Sequence, residues 1–229
     1  MNTVNRQYIA RCLPDVPGVN RLNGDFRVGG WPEDDSETHP AAVLVPIVDR
    51  ADGMTVLLTQ RTDHLHHHPG QVSFPGGRME AGDEHPIATA MRETEEEIGL
   101  RRQFLEVAGY LDLYKTVTGF LVTPVVAFVA TGFELSLDTF EVANAFEVPL
   151  SLVMDPDNYL LESRVLRGMT RRYYVIPYED YRIWGATAAM LVDLGQKLAG
   201  GEEACLVDQS GGRLEKKKRG VPLGHPNEG

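Results

Sequence analysis

The amino-acid sequence predicts a single α/β domain, or α+β in looser terms, built on a mixed β-sheet. Apolar runs of strand length interleave with two segments of helical periodicity, the pattern expected of helices packed on a sheet. At 229 residues, against roughly 150 per domain, the chain is cramped for two full domains. A content of 42% hydrophobic and 24% charged residues allows a sizeable core and excludes global disorder and collagen-like structure.

The elements follow in order. Asn5–Cys12 is a short helical candidate, and with the Gly/Pro/Asp-rich stretch up to Ser36 it makes residues 1–40 an arm packed on the domain. Ala41–Val48 and Met54–Thr59 are β-rich, and Asp52-Gly53 between them signals a hairpin. A polar loop rich in His, Pro and Gly leads to Gly77. The next segment is helical, with Pro86 suited to a first turn and Gly99 to a C-terminal exit. Leu105–Leu113 and Phe120–Val129 read as strands, the second placed at an edge or bulge by Pro124. Thr131–Thr139 is a loop, and Tyr159–Leu166 with Arg171–Ile176 forms a second hairpin turning at Gly168. Ile183–Leu198 has helical spacing. The domain therefore spans 41–199, and 200–229 is a polar, frayed tail carrying Lys216-Lys217-Lys218-Arg219.

No run of eighteen apolar residues occurs, and Met1–Pro14 lacks a secretory pattern, so the reading is a soluble cytoplasmic protein with no membrane partner. Cys12 and Cys205 have no metal or disulfide spacing and read as free thiols. The net charge of −11 argues against nucleic acid as a partner. A homodimer is the one macromolecular partnership left open.

The acids are not spread evenly. Between Arg78 and Glu97 stand seven acids and two bases, a local net of −5 in twenty residues. Residues three and four apart share a helix face, so Glu93, Glu96 and Glu97 form a carboxylate stripe. Ile87, Ala90, Met91, Thr94 and Ile98 form the packing face. Each like-charge pair costs about 0.2–0.5 kcal/mol, which a divalent cation turns into binding, since hard ions such as Mg²⁺ take carboxylate and phosphate oxygens. Phe74-Pro75-Gly76-Gly77 brings a permissive backbone to this helix, where a carbonyl could join such an ion, and Arg92 can fork onto a carboxylate. The helix alone is equally compatible with a solvated acidic face. The four histidines in Asp63–Pro69 lack zinc-site spacing, and a continuous helix cannot wrap Ca²⁺ as an EF-hand loop does.

Gly77 followed by Arg92-Glu93-Thr94-Glu95-Glu96-Glu97-Ile98-Gly99-Leu100 resembles the signature box of the Nudix hydrolases. That pattern is Gly, five residues, Glu, seven residues, then Arg-Glu-apolar-x-Glu-Glu-x-Gly-apolar. Here one extra residue leaves either Asp83 or Glu84 at the first acidic position, and Thr94 takes the apolar one. Upstream, Leu57-Leu58-Thr59-Gln60-Arg61 through Gly70-Gln71-Val72-Ser73-Phe74-Pro75-Gly76-Gly77 is similar to the signature of the coenzyme A diphosphatase branch, departing from it at Thr62 and at His66. Thr118-Gly119-Phe120, Phe146-Glu147-Val148-Pro149-Leu150 and Ile183-Trp184-Gly185-Ala186-Thr187 extend the resemblance over roughly residues 40–195.

The resemblance implies an α/β/α sandwich and hydrolysis of the diphosphate bond of coenzyme A or a derivative, with Mg²⁺ or Mn²⁺ as cofactor. The alternatives are ADP-ribose, a dinucleotide or an oxidised nucleotide as substrate, or a binding module without catalysis. It implies Glu93, Glu96, Glu97 and the Gly77 carbonyl as metal ligands, and Glu93, Glu96, Glu97 and Arg92 as the catalytic set. Arg61, His66, Gly76 and Gly77 are the expected substrate contacts. Glu93, Glu141 and Glu147 are the candidates for the base. Tyr181 and Trp184 are read as core.

Overall fold

A computed structural model describes residues 4–24, 37–64, 69–166 and 169–208. In chain order the elements are α1 (Arg6–Cys12), β1 (Gly18–Gly24), β2 (His39–Arg50), β3 (Gly53–Arg61), β4 (Val72–Ser73), β5 (Gly76–Arg78) and α2 (Pro86–Ile98). They continue with β6 (Leu105–Tyr110), β7 (Asp112–Lys115), β8 (Phe120–Val129), β9 (Val142–Pro149), α3 (Leu150–Met154), β10 (Leu160–Leu166), β11 (Met169–Tyr178), β12 (Tyr181–Trp184) and α4 (Gly185–Asp208).

The main sheet runs β1-β7-β8-β2-β3-β4, with β5 added to β2, β6 to β8 and β9 to β3. It is mixed: β2 pairs in parallel with β8 from His39↔Phe120 to Val48↔Val129, and antiparallel with β3 and β5. A separate antiparallel sheet holds β10-β11-β12.

Strand alternation sends successive side chains to opposite faces, and both faces are apolar because both are covered. Ala42, Leu44, Val125 and Ala127 lie under Ala90 of α2. Val45, Ile47, Val126 and Phe128 belong to the larger cluster that takes in Ile9 of α1 and Leu191, Leu194 and Leu198 of α4. Most of these are fully buried, each contributing about 1.5–3 kcal/mol for a Val-, Leu- or Ile-sized side chain. Helices on both faces of a mixed sheet give the expected α/β/α sandwich.

Several details differ from the sequence expectation. Arg50 pairs with Gly53, so Ala51 and Asp52 form the hairpin loop rather than Asp52-Gly53. Leu105–Leu113 splits into β6 and β7 at Leu111. Pro124 lies in a central strand: its carbonyl accepts from Leu111 N–H at 3.1 Å, so its missing N–H faces that same break. β9 was not anticipated, nor was β1, which extends the sheet from within the arm. Ile183 and Trp184 end β12, and the last helix starts at Gly185 and runs through Asp208, across the expected start of the tail at Gly200. Gly168, His66 and residues 209–229 lie outside the described residues.

Candidate active site

The site begins with how α2 is fixed. His85 caps its N-terminus by accepting from Ala88 N–H, Pro86 takes the first turn, and Gly99 closes it in the left-handed conformation at φ 69° with its N–H on Glu95. Thr94, at the position where the signature prefers an apolar residue, is buried and donates its hydroxyl to Ala90 O at 2.6 Å. Its polar atom is thereby satisfied within the helix.

Arg92 is the hub of the acidic segment. Its Nε and Nη2 form a fork on Asp83 at 3.2 and 2.9 Å, and Nη2 also donates to Arg78 O at 3.2 Å. Its Nη1 donates to Glu93 at 2.9 Å and to Glu96 at 3.0 Å. Asp83 also accepts from Glu80 N–H and from the Thr89 hydroxyl, both at 2.9 Å. Of the two acids open to the first acidic position, Asp83 is the one Arg92 engages, whereas Glu84 is exposed. The Arg92 hydrogen bonds hold the Asp83 carboxyl well below the usual carboxylate range and raise the guanidinium in return.

One turn further on, the environment reverses. Glu97 is buried, and desolvation, then the charges of Glu93 and Glu141, push its carboxyl up to about 8. Arg61 and a hydrogen bond from Gly76 N–H oppose that shift without cancelling it. Burial raises Glu93 as well, against the pull of Arg92. Two neighbouring carboxylates that resist ionisation lack positive charge.

Gly76 and Gly77 in β5 let the backbone approach these acids. A Cβ on Gly77 would lie 2.5 Å from the Glu93 carboxyl, and one on Gly76, at φ 153°, would lie 2.5 Å from Ala42 O and Val43 Cα. Arg61, at the end of β3, lies 4.0 Å from Glu141. The predicted residues Glu93, Glu97, Arg92, Arg61, Gly76 and Gly77 thus converge between β3, β5 and α2. Glu96 joins them through Arg92 while its own side chain is 59% exposed.

Glu147 does not converge. Arg50 grips it through two nitrogens, Thr55 donates to it at 2.6 Å, and the guanidinium pulls its carboxyl down. Its partners are those of a strand-to-strand ion pair. Thr62, the other departure from the upstream signature, is buried with its hydroxyl on Phe140 O at 2.8 Å.

Beside the carboxylates opens a cavity of about 640 Å³, bordered by Gly76 and Gly77 and reaching across to the β10–β12 sheet. Its apolar wall includes Val43, Phe74, Phe120, Val122 and Met190. Five arginines line it: Arg61, Arg78, Arg164, Arg171 and Arg172. Of these the motifs identified only Arg61. The signal for the rest was compositional: Arg164, Arg167, Arg171 and Arg172 give nine residues four bases and no acid. Trp184 corrects the core reading, since it is 36% exposed and lines this cavity. Tyr181 stacks on Phe146 with ring centroids 3.6 Å apart.

The donor set suits a hard divalent ion: carboxylate oxygens of Glu93, Glu96 and Glu97, two of them desolvated, beside a backbone held at close approach. Among the described residues, no three His, Cys, Asp or Glu side chains already stand as a metal-holding group; Arg92 meanwhile engages Glu93 and Glu96. No helix among the described residues is long and apolar enough to cross a membrane.

Comparison with known proteins gives this geometry a context. The NUDIX domain model matches residues 38–164. The protein called "Uncharacterized Nudix hydrolase NudL" in Yersinia enterocolitica is 40% identical over 163 residues, 71% of this chain and 83% of its own length. Its namesake in Photorhabdus laumondii is 40% identical over 164 residues, covering 72% and 87%. Among solved structures, a C. elegans Ap4A hydrolase binary complex aligns over 73% of this chain and 98% of its own, with 19% identity and a TM-score of 0.45. The domain match over more than half of the chain and these relatives show that the chain belongs to the Nudix hydrolase family, enzymes that act on phosphoric anhydride bonds.

Proposed function

We propose that the chain hydrolyses the diphosphate bond of coenzyme A or its derivatives, with Mg²⁺ or Mn²⁺, releasing 3′,5′-ADP and 4′-phosphopantetheine or its acylated form. The observation that carries this reading is the juxtaposition of the Glu93/Glu97 carboxylates with a cavity lined by five arginines and an apolar wall. The upstream signature ending at Gly77 supports coenzyme A over other nucleoside diphosphate derivatives.

Glu93, Glu96, Glu97 and the Gly77 carbonyl hold the cation in this reading. When bound, the ion supplies neutralisation of the diphosphate charge and acidification of the attacking water. Arg92 is a positioning residue: its fork on Asp83 and its bonds to Glu93 and Glu96 set the carboxylates' directions. Arg61 faces the diphosphate, and the upstream signature adds His66, Gly76 and Gly77 as substrate contacts. Glu93 or Glu141 orients the water, whereas Glu147 is committed to Arg50 and Thr55.

The test is to incubate purified protein with coenzyme A, ADP-ribose and NADH, with Mg²⁺, Mn²⁺ or chelator, and to identify products by mass spectrometry. Cation-dependent release of 3′,5′-ADP is the expected result. Cleavage of ADP-ribose or NADH alone would refute the coenzyme A assignment.

A further inference from the structure

The small antiparallel sheet has one anchored edge and one open edge. On the β12 side it is tied to the main sheet, where Thr187 donates its hydroxyl to Val72 O in β4 at 3.0 Å. β10 lies at the far edge: it pairs with β11 from Leu160↔Val175 to Leu166↔Met169, and among the described residues no strand or loop backbone takes its other side. Such edges are ordinarily blunted by proline, lysine, a bulge or a covering segment. β10 is a regular seven-residue strand, Leu160-Leu161-Glu162-Ser163-Arg164-Val165-Leu166, with none of the first three. Its apolar side chains add to the exposure, since Leu160, Leu161 and Val165 are 46%, 55% and 68% exposed. Apolar residues exposed singly need no explanation, but three on one unpaired strand point to association.

The charges on the strand identify the partner. When two identical strands pair antiparallel about a twofold axis normal to the sheet, opposite residues lie symmetrically about that axis. With the axis at Ser163, Glu162 falls opposite Arg164 of the partner subunit, and Leu161 falls opposite Val165 of the partner subunit. Side chains so placed are about 4.5–5.5 Å apart at Cβ, where opposite charges attract and apolar groups pack. Sliding the strands by two residues sets Glu162 or Arg164 against its own copy, a like-charge contact. Sliding them by one turns the side chains to the wrong faces. The groups are available: among the described residues Arg164 makes no ion pair, while Glu162 holds Arg182 and the Tyr173 hydroxyl through Oε2, leaving Oε1 for a further donor.

We propose that β10 binds a second copy of this chain, forming a twofold-symmetric dimer in which two small sheets become one, β12-β11-β10-β10-β11-β12. The proposal is independent of which diphosphate is cleaved. Arg164 and Tyr173 share a sheet face by register, and both line the cavity. The two Glu162–Arg164 pairs therefore lie at the cavity rims, and both cavities open on the same face of the joined sheet. A guanidinium carries five donors, so Arg164 keeps some for a ligand.

The experiment is sedimentation velocity of the full chain across concentrations of about 1–100 μM, which span dissociation constants typical of modest interfaces. The expected result is a species of twice the chain mass that dissociates on dilution. Arg164→Glu turns both charge pairs into like-charge contacts and should raise the dimer dissociation constant at least about tenfold. Ser163→Cys sets two thiols on the twofold axis, where a short bismaleimide should link the dimer. The wild type, with Cys12 and Cys205, is the control for that reaction. Far-ultraviolet dichroism and the melting temperature establish that each variant is folded, and Ser163→Cys decides the matter if Arg164→Glu is not. A monomer at every concentration overturns the proposal, as does a dimer that a folded Arg164→Glu variant leaves unweakened or that Ser163→Cys does not link.

Discussion

The carboxylate site and the arginine-lined cavity beside it have opposite electrostatic problems. On α2, Glu93 and Glu97 are carboxylates whose burial raises their proton affinity, and Arg61 and the Gly76 N–H relieve Glu97 only in part. On β10 and β11, Arg164 and Arg172 are cations with no carboxylate partner among the described residues. Neither region neutralises the other. The carboxylate site calls for a cation and the arginine-lined cavity for an anion, so a polyphosphorylated metabolite with its divalent counter-ion answers both. A net charge of −11, read as a bulk property, argues against anionic ligands; its distribution argues for one.

The comparison breaks most severely at Glu97. Glu97→Gln keeps the shape and removes the charge, so cation-dependent turnover should fall by about a thousandfold or more while the metal-free fold keeps or gains stability. Initial rates with Mg²⁺ and melting in chelator check both halves. Turnover near the wild-type rate would show that the carboxylate stripe is only a solvated face.

Arg92 tests the link between the two acid environments. Arg92→Ala leaves the Asp83 carboxylate without its charged donor and should cost about 1–3 kcal/mol of stability. Turnover should drop about tenfold to a hundredfold through misdirected carboxylates. Because Asp83 ionises more readily in the folded protein, its stabilising contribution is present above the ordinary carboxylate pKa and is lost on acidification. The variant's deficit in denaturant titrations should therefore shrink at low pH.

Glu97 predicts the opposite slope. Unfolded, it ionises near 4.5; folded, it keeps its proton up to about 8. The folded chain then holds more protons across that window, so metal-free stability falls as pH rises through it, by at most a few kcal/mol from this group. Thermal melts from pH 5 to 9 in chelator should show the decline, and excess Mg²⁺ should restore more at pH 8 than at pH 6. The smallest effect is expected at Glu147→Gln. The loss of a partly exposed pair with Arg50 should cost less than about 1 kcal/mol, with kcat within about twofold. A thousandfold loss there would make Glu147 the base.

The legibility of the sequence followed the physical range of each signal. Local rules placed α2, because Pro86, Gly99 and the spacing of Glu93, Glu96 and Glu97 act within a few turns of one another. They also placed the β2–β3 and β10–β11 hairpins. The choice between Asp83 and Glu84 depended on the three-dimensional reach of Arg92, which spacing does not encode. Pro124 misled for the same reason: the break at Leu111 that accommodates its missing N–H comes from another strand. The basic wall was hardest to see, since Arg164, Arg171 and Arg172 match no motif and meet the carboxylate site only when the small sheet closes the cavity.

The central claim is that Glu93 and Glu97 seat the divalent cation on which hydrolysis depends. Titration of Mn²⁺ into the wild type and Glu97→Gln, with coenzyme A turnover followed in the same samples, addresses it most directly. The account predicts Mn²⁺ binding that rises with turnover in the wild type, tightens as pH increases towards 8, and disappears with turnover in the variant. Full turnover in chelator, or unchanged Mn²⁺ binding by Glu97→Gln, would contradict it.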